Sequence, residues 1–383
     1  MNYILTDEIK KYLDDNKEQT LKLIEELCKI PAPSGKEELR AEFVKKYMED
    51  FGANGVYIDD ALNVIYPVEC DNKKEIVVFM AHTDTVFPDT TFPMPFKRDE
   101  TTLYSPGVGD DTACLAIMLI VAKYVTEKGL NTDTGVLFVA NSCEEGLGNL
   151  KGCKQLMKDF DGRVKEVYTF DGMYTEVLNK CVGSHRYELT FTTEGGHSFN
   201  NFGNRNAIYA MSVLINALYE CKVPVNGNSR TTFNVGVVDG GTSVNTIAQN
   251  ATMLYEYRSD DAECLFKMQT FFNECVEKAQ KSNMAKISVK LIGERPCGGK
   301  VDDKRLQEMT DNVKAICEKY SGVACRVNSG STDCNIPMSL GVPAVCVGVY
   351  NGTGIHTREE TAQIESIPVG LKIAAELILQ YFN

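Results

Sequence analysis

Histidine is scarce in this chain, with four among 383 residues, so the use of each one can be followed. Basic charge is also short: 40 Lys and Arg stand against 53 Asp and Glu, a formal net charge of -13. That excludes a phosphate-backbone binder, which needs a basic face to release counterions, and no local Lys/Arg cluster reverses the balance. No apolar run approaches the ~20 residues a membrane span requires. The acidic, amphipathic start "MNYILTDEIKKYLDDNK" lacks the charged and apolar regions of a secretory signal, so a cytoplasmic protein is expected. The fourteen cysteines form no CxxC pairs with zinc-finger spacing, and many lie in apolar runs such as "AVCVGV". They read as buried reduced thiols rather than as a disulfide framework.

What is present is an ordinary globular composition, 43% hydrophobic and 24% charged, in a chain long enough for two domains. From Thr6 to Phe51 apolar residues recur at helical spacing, interrupted at "PAPSGKEE". There Pro31 and Pro33 break one helix, and Ser34 with Glu37 reads as a capping box for the next. Apolar runs then alternate with helical patterns: Glu75 to Met80, Ala113 to Glu127, Gly135 to Ala140 and Val164 to Phe170. This predicts an α/β domain with a mostly parallel sheet covered by helices on both faces. From Ser184 the order becomes strand, helix (Arg205 to Glu220), strand (Thr231 to Val237), strand (Thr246 to Tyr257), helix (Asp260 to Lys281), strand (Lys286 to Leu291). That βαββαβ order predicts an inserted ferredoxin-like domain over 184–293, dividing a catalytic α/β domain into 1–183 and 294–383.

The ionisable residues follow the predicted strands. His82 and Asp84 come after the first, Glu144 and Glu145 after the second, Asp171 after the third, and His356 after "AVCVGVY". In a parallel sheet these ends share the edge where ligand sites of open α/β folds form. "SPGVGDD" adds Asp110 and Asp111 at the start of a helix. Singly, each has a plain structural reading: a satisfied core histidine, a solvated carboxylate pair, a turn aspartate, a loop histidine, an N-cap. It is their common placement that points to chemistry. Two histidines, two terminal carboxylates and one shared aspartate are what a pair of divalent ions needs, and imidazole with carboxylate suits zinc. On extended backbone Asp84 faces the same way as His82 and is expected to hydrogen-bond its second ring nitrogen, touching nothing else. Adjacent side chains diverge, so one of Glu144 and Glu145 binds metal while the other is general base; Glu144 is taken as the base.

The segments "MAHTDTV", "GVGDD", "NSCEEG", "FDG", "GHSFNNFGNRNAI", "GGTSVNTIAQNATMLYEYR", "GSTDCN" and "GIHTREE" occur in this order. Together they resemble the co-catalytic metallohydrolases that include peptidase T, carboxypeptidase G, acetylornithine deacetylase and aminoacylase-1, over nearly the whole chain, as a peptidase T-like member. The resemblance implies His82 and Asp171 on one metal, Glu145 and His356 on the other, and Asp110 bridging them. It also implies that the inserted domain is a lid and dimerisation domain, in which His197, Asn245 and Arg258 meet the substrate. Without it, these are a turn histidine, a loop asparagine and a strand-end arginine paired with Asp260. The family usually has lysine two residues after the bridging aspartate, where this chain has Thr112. His185 matches no family ligand and reads as structural, and Cys143 reads as an inert buried thiol.

The expectation is a homodimeric, cytoplasmic hydrolase with two divalent ions, zinc or else manganese or cobalt. It cleaves an amide bond in short peptides through a metal-bridged water. An N-acyl-amino-acid deacylase is the alternative; a non-catalytic metal- or amino-acid-binding protein is the reading from another class. A nucleotide-binding enzyme is a third, weakened because the GxG of "GVGDD" lacks the rest of a dinucleotide fingerprint.

Overall fold

The computed structural model describes residues 3–71 and 73–383. By packing, residues up to Lys180 together with Lys300–Asn383 form one compact unit, and Cys181–Gly299 forms the other.

At the centre of the first unit four strands run parallel, in the spatial order Gly135–Asn141, Ile76–His82, Val164–Phe170, Ala344–Val347. Every residue of Ile76–His82 and Gly135–Asn141 is buried, which is why both read as unbroken apolar runs rather than alternating patterns. Antiparallel strands extend the sheet on either side: Val64–Val68 and Tyr57–Ile58 at one, Glu176–Cys181 at the other, with Arg326–Gly330 at the far edge. One row of the register places Phe138, Phe79 and Tyr168 side by side, with ring centroids 6.1 and 5.3 Å apart. Stacked pairs of this kind add roughly 0.5–1.5 kcal/mol each beyond the area they bury.

The helix Cys114–Lys128 is apolar on all sides and buries eleven of its fifteen residues, packed with Ser366–Leu379 in the same core. It stops at Gly129, whose φ of 59° closes the last turn in a conformation that L side chains rarely adopt. This is the α/β class expected from the alternation of apolar runs and helical patterns. Its consequence for function is geometric. The parallel strands end at His82, Asn141, Phe170 and Val347 along one edge, and His82 pairs directly with Asn141.

The second unit is a four-stranded antiparallel sheet, ordered Thr231–Gly240, Asn250–Ser259, Gly183–Thr192, Lys286–Arg295. Burial alternates along Asn250–Ser259, and Ala251, Met253, Tyr255 and Tyr257 share a core with the helices Ala207–Tyr219 and Ala262–Lys281. Each helix is capped by a side chain: Asn206 accepts from the N–H groups of Ile208 and Tyr209, and Asp261 from that of Cys264. The element and strand orders are those of the ferredoxin-like unit.

Several sequence expectations are revised. The predicted strand Thr246 to Tyr257 is two segments, because Thr246–Ile247 pairs with Gly196–His197 before the chain joins the main sheet at Asn250. The amino-terminal region holds three helices, Asp7–Asp15, Lys17–Lys29 and Glu38–Asp50. Ser34 and Glu37 form no capping box: the helix Glu38–Asp50 has no side-chain cap. Both side chains are instead drawn to polar groups in the interior, described below.

Candidate metal centre and active site

The imidazole of His82 is buried at the end of its strand. Its Nδ1 lies 3.0 Å from the carbonyl oxygen of Asp84 and its Nε2 lies 3.0 Å from Asp110 Oδ1. A carbonyl only accepts, so Nδ1 carries the ring hydrogen and Nε2 of the neutral ring is a lone pair. Either the ring is charged and donates Nε2–H to Asp110, as the surrounding carboxylates favour by raising His82 well above its ordinary value, or a neutral ring and the carboxylate share a cation. The other oxygen of Asp110 stands 3.1 Å from His356 Nε2, which is also 3.2 Å from Glu145 Oε1.

Three sets of donor atoms gather within 4.8 Å of one another: His82, Asp110 and Asp171; Asp110, Glu145 and His356; and His82, Glu144 and Glu145. Asp110 belongs to two of these sets, with one carboxylate oxygen toward each histidine. Nitrogen and oxygen donors in sets that share a carboxylate fit a pair of ions such as zinc. The electrostatics agree with a cation-seeking cavity. Hydrogen bonds to Asp110 and Glu145 push His356 up to about 10. Burial, then the charge of Asp110, pushes Asp171 up to about 7. Asp111 is a different kind of group. Its Oδ2 accepts the backbone N–H of His82 at 2.9 Å, and burial raises its carboxyl well above the ordinary range. Of the two neighbours in "GDD", only Asp110 faces both histidines.

Two loops deliver these donors, and each is held by buried carboxylates. Asp84 accepts the backbone N–H of Glu144 on one oxygen and that of Glu145 on the other, both at 2.9 Å, and the Ser34 hydroxyl at 2.6 Å. Glu37 Oε1 accepts the N–H of Cys143 at 3.0 Å. Three consecutive N–H groups are thereby fixed around Cys143, whose φ of 58° is a strained conformation for a non-glycine residue. This corrects the expectation that Asp84 touches only His82. Its carboxylate is 3.4 Å from the ring, farther than its own carbonyl, because the Glu144 loop has claimed it.

The second loop, carrying Asp110, rests on Glu360, which accepts the N–H groups of Gly107, Gly109 and Asp110 at 2.8–2.9 Å. Gly109 allows this approach, since a Cβ there would lie 2.3 Å from the Tyr350 ring. Sequence reasoning missed Glu360 altogether. The only signal was a second glutamate in "TREE", which looks like a solvated pair. His356 sits four residues earlier with a φ of 63°, again left-handed backbone beside the centre.

Cys143 is a buried thiol pushed up to about 12, chiefly by burial, and does not ionise near neutrality. Among the described residues all fourteen cysteines are free. His185 packs against Tyr257, its Nδ1 2.7 Å from the phenol oxygen.

Within the second unit, His197 and Asn245 are neighbours in one small ladder: Ser198 N–H donates to the Asn245 carbonyl, and His197 pairs with Thr246. The exposed His197 ring accepts two backbone N–H groups on Nδ1, at 3.2 and 3.3 Å, which leaves its hydrogen on Nε2. The Asn245 side-chain oxygen takes the Ser243 hydroxyl at 2.8 Å, leaving its amide to donate. Arg258 lies toward the other end of Asn250–Ser259, some 26 Å along extended chain from Asn250. Its guanidinium is bidentate to Glu256, at 3.0 Å twice, rather than paired with Asp260. The structure therefore brings His197 and Asn245 together and keeps Arg258 apart from them.

The chain is 23% identical to succinyl-diaminopimelate desuccinylase of Corynebacterium glutamicum, over 90% of this chain and 92% of that protein. It is 22% identical to carboxypeptidase G2 of a Pseudomonas species, over 95% and 90%. Its fold is similar to the crystal structures of aminopeptidase PepT from Bacillus cereus (TM-score 0.72, 22% identity, 95% of this chain and 98% of that one). A tripeptidase from Staphylococcus aureus is equally similar (TM-score 0.74, 22% identity, the same coverage). The sequence profile of peptidase family M20/M25/M40 matches residues 78–380, a span that includes all four parallel strand ends, and so the chain belongs to that family and is a metallohydrolase.

Proposed function

We propose that this protein hydrolyses an amide bond in short peptides at a dinuclear centre. His82 and Asp171 would hold one ion, Glu145 and His356 the other, and Asp110 both. The observation that carries this reading is Asp110 with one oxygen toward each of two histidine Nε2 atoms, at 3.0 and 3.1 Å. Bound ions, zinc in this reading or else manganese or cobalt, supply a water activated for attack and polarise the scissile carbonyl. Glu144 takes the proton of the attacking water and returns it to the leaving amine. Asp84 keeps Glu144 in place through that residue's backbone N–H and orients His82 through its own carbonyl oxygen. In the second unit, His197 would offer Nε2–H to a developing oxyanion, and Asn245 or, apart from it, Arg258 would offer N–H groups to a substrate carboxylate.

A homodimer formed through the second unit and a cytoplasmic location complete the proposal. Its edge strand Thr231–Gly240 exposes Val237 and Val238, and Phe199, Phe202 and Val244 stand largely in solvent. Such an edge with apolar neighbours suits pairing with a second copy. No helix among the described residues is long and apolar enough to cross a membrane.

The test is hydrolysis of a panel of dipeptides, tripeptides and N-acyl amino acids, read by mass spectrometry, with and without chelation. Peptide cleavage lost on chelation and in Glu144→Gln is expected. Full activity in the metal-free protein would falsify the mechanism, and cleavage of N-acyl amino acids alone would assign a deacylase instead.

A further inference from the structure

Arg40 is the one Lys or Arg fully buried among the described residues of the first unit. It comes from the helix Glu38–Asp50, and no carboxylate touches it. Its Nη2 donates to the carbonyls of Leu27 and Ile30, at 2.9 and 2.7 Å, where the preceding helix ends. Its Nη1 donates to the Thr83 carbonyl at 2.8 Å and to the Thr112 hydroxyl at 3.4 Å. A buried guanidinium without an ion-pair partner is costly, and three backbone carbonyls alone do not explain why a cation was placed there.

The contact with Thr83 gives a reason. Thr83 lies between His82 and Asp84, and its N–H and hydroxyl already donate to the Asn141 carbonyl at 2.7 and 2.9 Å. Arg40 holds the other side of the same residue. The direction of the Thr83 peptide decides where the Asp84 carbonyl meets the His82 ring and where the Asp84 carboxylate meets Glu144 and Glu145. Thr112, which shares Nη1, stands two residues beyond Asp110 at the position where the resemblance expects lysine.

We propose that Arg40 is a positioning residue of the metal centre: it supplies, from a distant helix, the buried cation on the Thr83 carbonyl that residue 112 does not provide. The inference rests on the dinuclear centre proposed above and acts through His82 and Asp84, not through contact with substrate.

The test compares Arg40→Met, Thr112→Lys and the double variant as full-length protein. Zinc affinity is read on the metal-depleted protein by chelator competition, beside kcat on the best panel substrate and thermal unfolding. Arg40→Met should weaken zinc binding and turnover 10- to 100-fold, the range for residues that orient ligands. Thr112→Lys should bring both back to within about threefold in the double variant, because its ammonium enters the space vacated beside Thr83. Unfolding temperature should stay lowered, since the bonds to Leu27 and Ile30 are not replaced. Unchanged zinc affinity in folded Arg40→Met, or a double variant as weak as the single, overturns the inference. If Arg40→Met does not fold, Arg40→Gln is used in the same comparison. Loss of folding in both, with or without Thr112→Lys, also overturns it. Wild-type protein active without metal would instead overturn the proposed centre itself.

Discussion

The carboxylate of Asp84 accepts the backbone N–H of Glu144 at 2.9 Å, across sixty residues of sequence. The residue whose carbonyl meets the His82 ring thus also fixes, through its side chain, the backbone of the proposed general base. Asp84→Asn keeps the shape but replaces a charged acceptor of several hydrogen bonds. Bonds to charged groups are worth roughly 1.5–3 kcal/mol, so kcat is expected to fall about 10- to 100-fold. Metal content, measured by mass spectrometry of the eluted ions, should stay close to that of the wild type. Loss of half the metal would instead make Asp84 a ligand.

His82→Ala removes a donor from one proposed site, and Asp110→Asn weakens the group common to both. The first should lower metal content from two ions per chain toward one, and the second should lower affinity at both sites. Titration of metal-depleted protein by calorimetry separates the two patterns. A His82→Ala protein that still holds both ions tightly contradicts the assignment.

Glu360→Gln tests the support of the Asp110 loop. One amide oxygen cannot accept from Gly107, Gly109 and Asp110 as a carboxylate does. Metal affinity should fall about 10-fold, in the range expected when a partner of a ligand is lost. Glu359→Gln next to it, on an exposed side chain, should change nothing.

Arg258 and Glu256 form a bidentate pair, so a substrate carboxylate held by Arg258, as proposed, would have to compete for the guanidinium. Glu256→Gln should lower KM for carboxylate-bearing substrates, and Arg258→Lys should raise it, with kcat little changed in either. A kcat effect without a KM effect would remove Arg258 from substrate binding.

Metal binding should also stabilise the fold, because the donor atoms come from strand ends and loops far apart in sequence. Ion at 1,000 times its dissociation constant adds about 4 kcal/mol. Chelation should therefore lower the unfolding temperature, and re-addition of zinc should restore it. A chelator without effect on unfolding would mean that these side chains hold no ion.

The residues at the strand ends were legible because parallel strands put their carboxyl ends on one edge. A histidine or carboxylate at the end of a buried apolar run or in the loop that follows it is visible without coordinates. His82, Glu144, Glu145, Asp171 and His356 were found in this way, and with Asp110 the structure brings them together. The class of the fold followed from the same runs. Short or exposed strands such as Tyr57–Ile58 and Arg326–Gly330 carry no such pattern and were not seen.

Sequence alone, then, determined the donor chemistry and the edge on which it stands, since burial and periodicity are local properties of the chain. Tertiary structure decided what holds those donors still. Arg40 reaches Thr83 across 43 residues, Glu37 reaches Cys143 across 106 and Glu360 reaches Asp110 across 250. Buried charges aimed at distant backbone groups leave no periodicity and no motif. Their roles exist only once folding has closed those loops, and the same closure separated Asp110, which faces both histidines, from Asp111, which faces the strand.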